Sequence, residues 1–69
     1  MKIFAQRVKE LRKEQKKTQI EMAAVFGVSP RQYQNYEGGA HYPDVPGLMA
    51  MADYFGVTTD YLLGRSDER

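Results

Sequence analysis

Four residues within five positions carry the most legible chemistry in this 69-residue chain: Arg31, Gln32, Gln34 and Asn35. A guanidinium can donate two parallel hydrogen bonds to the O6/N7 edge of guanine, and a carboxamide pairs donor and acceptor with the N6/N7 edge of adenine. Arg31 and Asn35 stand four apart, so on a helix they share one face, with Gln34 on its flank. That face is long-armed, polar and almost free of acid. Tyr33 and Tyr36, three apart, form the only aromatic face and are expected to point into a core. A helix built this way can read base edges in a major groove.

The surrounding stretch, Thr18 to Glu37, reads as two short helices meeting at a glycine turn. Thr18 followed three residues later by Glu21 is a capping box, so the first helix of the pair begins at Gln19. Met22 and Phe26 lie four apart on one face, Ala23 leaves room for a close helix crossing, and Gly27 takes the left-handed conformation that ends the helix. Val28 is the apolar plug of the turn. Ser29 is the next N-cap and Pro30 the first helical residue, with Gln32 placed to complete a second capping box.

Gln19, Met22, Ala23, Phe26, Gly27, Val28, Tyr33 and Tyr36 fall on the pattern of a helix-turn-helix, and the chain resembles the Cro and lambda-repressor-like family of DNA-binding regulators over roughly residues 4 to 64. The resemblance implies an all-α fold of five short helices, with helices two and three forming the motif. It also implies an ion pair between Arg12 in helix one and Glu37 at the end of the recognition helix. For base contacts the helical face gives Arg31 and Asn35, and the resemblance adds Pro30, through apolar contact only. The helical projection favours Gln34 as a further reader and the resemblance favours Gln32; Gln32, nearer the helix N-terminus, is the expected one. Backbone contacts are expected from Gln19, Lys17, Ser29, His41 and Tyr42, the last two standing where the family often carries Lys or Arg.

Before that stretch, Phe4, Val8 and Leu11 form the apolar stripe of a helix expected over Lys2 to Lys16, which Ile3 extends. Residues 1 to 17 hold seven Lys/Arg against Glu10 and Glu14, a local charge of +5, and the rest of the chain carries −4. The basic end reads either as a solvated helix face or, at Lys16 and Lys17, as cations leading into the helix that approaches phosphate. After the motif, Gly38 to Pro43 is a loop. Helix four follows from an Asp44 cap, with Leu48, Met51, Ala52 and Phe55 as its packed stripe and Met49 also expected to fill core. Thr58 caps a fifth helix in which Leu62 closes the core. Residues 1–64 thus form one domain, and 65–69 have the polar composition of a frayed tail.

Few cations per chain favour a homodimer on double-stranded DNA, and Tyr54, Tyr61 and Leu63 are its candidate exposed apolar surface. A chain with no cysteine has no thiolate nucleophile, thiolate metal site or disulfide. Its charged N-terminus offers neither a secretory apolar stretch nor a membrane span, so a soluble, cytoplasmic protein is expected. No metal, cofactor or small-molecule ligand is suggested, and one histidine without a carboxylate pair argues against an enzyme. The alternative is a protein-interaction module, such as an antitoxin or adaptor, using the same fold.

Overall fold

The computed structural model describes residues 2–69, and Met1 lies outside the described residues. Five helices account for the regular structure: α1 Lys2–Glu14, α2 Gln19–Phe26, α3 Pro30–Glu37, α4 Val45–Phe55 and α5 Thr59–Leu63. Each helix from α2 onward starts at a side-chain cap, from Thr18, Ser29, Asp44 and Thr58 in turn. The caps satisfy amides that the helix itself leaves without partners, which matters most in helices this short.

α1 stops two residues short of the expected Lys16. Lys16 takes a left-handed backbone, φ 57°, and reverses the chain towards α2. The turn is held by the Arg12 Nη1 donating to the Lys17 carbonyl at 2.9 Å and by the Lys17 amide donating to the Arg12 carbonyl at 3.3 Å. An apolar stripe carries no signal for such a reversal, because the bonds that hold it end on backbone carbonyls.

α1 packs against both α3 and α5, and α2 and α4 close the core between them. Phe4, Val8 and Leu11 from α1 meet Met22 and Ala23, Tyr33 and Tyr36, Met51 and Ala52, and Tyr61 and Leu62. Phe26, Val28, Leu48, Phe55 and Val57 pack half-buried around this centre. Each fully buried large side chain contributes about 1.5–3 kcal/mol, enough for a small domain only because every helix supplies at least one.

Four expectations are corrected here. Met49 is 55% exposed and fills no core, since it faces away from the Met51 and Ala52 stripe. Ile3 is 51% exposed and extends no buried stripe; it lies against the Gly64 turn instead, where a Cβ on Gly64 would come within 2.8 Å of the Ile3 Cγ2. Tyr61 is buried, 8% exposed, because its ring forms the α1-facing side of α5 beneath the Arg7 guanidinium, 4.1 Å from the ring centroid. The tail is not frayed. Arg7 donates to the carbonyls of Tyr61 and Ser66 and pairs with Asp67 at 2.8 Å, and Arg69 pairs with Glu14. The Thr58 amide donates to the Arg69 carbonyl at 3.1 Å, so the last residues fold back over α1 and α5.

Candidate nucleic-acid interface

α3 is held at both ends before its outer face is considered. At its start the Ser29 Oγ accepts from the Gln32 amide at 3.1 Å, and Pro30 occupies the first helical position without needing a donor. The second capping box is only half formed: the Gln32 side chain does not return to the cap but donates to the Tyr36 hydroxyl at 2.9 Å. By contrast, the Thr18 and Glu21 box on α2 is complete, and the bonds from the Thr18 amide and hydroxyl hold the Glu21 carboxyl below the usual carboxylate range.

At its end α3 is fixed by Glu37. The carboxylate accepts from Arg12 Nε at 2.7 Å, from Arg12 Nη2 at 3.0 Å and from the Gln19 amide at 3.1 Å, joining α1, α2 and α3 at one point. The side chains are 12% and 3% exposed for Arg12 and Glu37. Burial pushes the Glu37 carboxyl up, but the hydrogen bonds from Arg12 and its neighbours outweigh it and hold the group below its ordinary value. The Tyr33 hydroxyl is buried beside the same carboxylate without a hydrogen bond of good geometry. Burial first, and the adjoining Glu37 carboxylate next, raise its pKa and keep it protonated.

With both ends fixed, the outer face of α3 presents Arg31 and Gln34 exposed and Asn35 half-buried. Among the described residues Arg31 has no ion-pair partner within 4 Å. Pro30 is exposed at the tip. Gln32 and Gln34 part to opposite sides: Gln32 lies in a groove of about 460 Å³ towards the start of α4, and Gln34 in a second, open cleft beside α2.

That second cleft, about 450 Å³, gathers Arg12, Lys16, Lys17, Gln19 and Gln34 around the first turn of α2. The cap satisfies the Glu21 amide, and the amides of Gln19 and Ile20 remain free of intrahelical partners and face outward. Free amides, the helix dipole and two lysines suit a phosphate. The Gln19 side chain also braces the motif, since its carboxamide donates to Glu37. His41 and Tyr42 are exposed in the α3–α4 loop; the His41 amide donates to the Asn35 carbonyl, and the Tyr42 ring lies 5.2 Å from Phe4.

Arg7 escaped the sequence reading, which placed it among solvated cations. Its position was nonetheless informative: Phe4, Arg7, Val8 and Leu11 follow i, i+3, i+4, i+7, so Arg7 stands inside the buried stripe. No helix is long and apolar enough to cross a membrane, and no cluster of three or more potential metal ligands occurs, both among the described residues.

A helix-turn-helix family description matches residues 8–62 of this chain. The chain is similar to the cryptic phage CTXphi transcriptional repressor RstR of Vibrio cholerae, 38% identical over 60 residues, covering 87% of this chain and 54% of that protein. It is also similar to the uncharacterized HTH-type transcriptional regulator YobD of Bacillus subtilis, 32% identical over 66 residues, covering 96% of this chain and 59% of the other. Among solved structures, the SOS-response transcriptional repressor LexA from Eubacterium rectale superposes with a TM-score of 0.82 at 32% identity, covering 87% of this chain and 64% of that one. The chain therefore spans little more than half the length of the curated relatives it matches.

Proposed function

This chain belongs to the helix-turn-helix family of the Cro and lambda-repressor-like type, and on that premise we propose that it is a cytoplasmic transcriptional regulator that binds double-stranded DNA sequence-specifically. α3 enters the major groove, Arg31 reads guanine and Asn35 reads adenine, and Pro30 touches a thymine methyl. Gln34 lies between the groove and the phosphate cleft. Lys17 and the free amides at the start of α2 grip one phosphate, with Ser29, His41 and Tyr42 along the same strand. The observation that carries this reading is an exposed Arg31, without an ion-pair partner among the described residues, on a helix whose two ends are locked to the rest of the fold. Base reading demands such rigidity, because a free helix would lose the gain from each contact to ordering.

One α3 contacts too few bases to select a site alone, so the chain acts as a homodimer on an inverted repeat with half-sites about one helical turn apart. Tyr54 and Leu63, 38% and 37% exposed, remain available for that interface, and the buried Tyr61 is withdrawn from it. The relative from Vibrio cholerae is named a repressor, and repression is the direction proposed here.

Site selection from a randomised duplex pool, run at one stated salt concentration with the wild type and Arg31→Ala, tests the reading. The expected result is an inverted repeat in which one guanine preference disappears in the variant, at a cost of about 1–3 kcal/mol. If folded protein enriches no motif, the DNA reading falls and a protein partner for the same face becomes the working hypothesis.

A further inference from the structure

The hydrogen bond that breaks the second capping box has its own geometry. Helical side chains lean towards the N-terminus of their helix, so the Gln32 amide and the Tyr36 hydroxyl, one turn apart, meet near the leading end of α3 beside Gly27 and Val28. Tyr36 is 4% exposed and its ring lies edge-on to Tyr33 at 6.2 Å, so its hydroxyl is a fixed point. Gln32 is exposed, and without that anchor its three rotatable bonds would be free in solvent.

The anchor also decides which hydrogen-bonding groups are left. A carboxamide has two N–H donors and one carbonyl acceptor. With Nε2 committing one N–H to Tyr36, the outward edge keeps one donor beside one acceptor, the complement of adenine N7 and N6. The reversed amide, accepting from the hydroxyl, would keep two donors and complement guanine O6 and N7.

We propose that Tyr36 is a positioning residue that presets Gln32 as an adenine reader at one step of the binding site, a specificity element separate from Arg31 and Asn35. The proposal rests on α3 being the recognition helix.

Site selection at one salt concentration with wild type, Gln32→Ala, Tyr36→Phe and the double variant tests it, each variant first shown to melt cooperatively. The expected profile has an adenine column that Gln32→Ala erases and that Tyr36→Phe weakens about fivefold, within what one bidentate contact is worth. The Arg31-dependent guanine column stays unchanged, and the double variant matches Gln32→Ala. A merely structural Tyr36 would lower affinity for every sequence alike and leave the profile intact, and that result overturns the proposal. A Gln32-dependent guanine column overturns it too. Failure of the wild type to enrich any column sinks the functional reading beneath it, whereas a wild-type profile lacking only the Gln32-dependent column overturns this proposal and leaves that reading standing. In the free protein, slow exchange of the Gln32 side-chain amide protons in wild type, accelerated in Tyr36→Phe, is the companion result expected without DNA; equal exchange in both removes the anchor.

Discussion

Two arginine–carboxylate pairs tie distant parts of this chain together with the same bidentate chemistry and opposite surroundings. Arg12 and Glu37, 25 residues apart, meet at side-chain exposures of 12% and 3% where α1, α2 and α3 converge. Arg69 and Glu14, 55 residues apart, meet at 47% and 50% exposure on the surface of α1. Both hold their carboxyl below its ordinary value, Glu37 against a burial penalty and Glu14 through its hydrogen bonds from Arg69. The difference teaches that geometry alone does not set the consequence of a pair. Losing one partner in the dry site strands the other charge, whereas water replaces a lost partner at the surface.

Glu37→Ala is the largest expected break. It leaves Arg12 buried without its counterion and Gln19 without its acceptor, at a cost of about 3 kcal/mol or a melting-temperature fall of roughly 15 °C for a domain of this size. The same pair sets an acid limb. Because the folded pKa of Glu37 is lowered, its contribution is present above the usual carboxylate range and lost as pH falls through the folded value. Stability measured from neutral pH downward should therefore drop more steeply in wild type than in Glu37→Gln. A parallel pair of curves would mean that the junction does not titrate as a unit.

Arg7→Ala comes next, at about 2 kcal/mol, since its hydrogen bonds to the Tyr61 and Ser66 carbonyls are charge-assisted and half shielded. Trypsin cleavage after Arg65 should accelerate in that variant, and unchanged cleavage would show that the tail is held by other contacts. The smallest effect belongs to Glu14→Ala, whose melting curve should overlay that of wild type. Equal losses in Glu14→Ala and Glu37→Ala would erase the distinction between dry and wet pairs.

The parts of the fold that were legible in the sequence are those whose two halves lie close in the chain. The Thr18 and Glu21 box, the glycine turn at Gly27 and the Asp44 and Thr58 caps each declare themselves within four residues, and all form. The Ser29 and Gln32 box failed because a third residue, Tyr36, offered the carboxamide a better-placed partner. The Arg12 and Glu37 pair came from family resemblance, as no local pattern links residues 25 apart. The tail was missed for a different reason. Arg7 there bonds mainly to backbone carbonyls, which every residue possesses, so nothing in the letters RSDER marks them as acceptors. At the interface, the solvent face of α3 was readable from its period, but the division of labour between Gln32 and Gln34 needed side-chain directions.

Residues 66–69 return to α1 and to the cap of α5, and that has a consequence for synthesis. Thr58 receives its partner from Arg69, and Arg7 receives two of its three from residues beyond 65, so contacts that close α1 against α5 span more than fifty positions. A chain emerging from the ribosome exposes α2, the turn and α3 early, yet α1 lacks its last neighbours until residue 69 has cleared the tunnel. These outer contacts are therefore a late, non-local closure, of the kind whose loop must be ordered before the contact rewards it. The Arg12, Gln19 and Glu37 junction needs none of these late contacts, so α3 can be held in place before the latch over α1 and α5 closes.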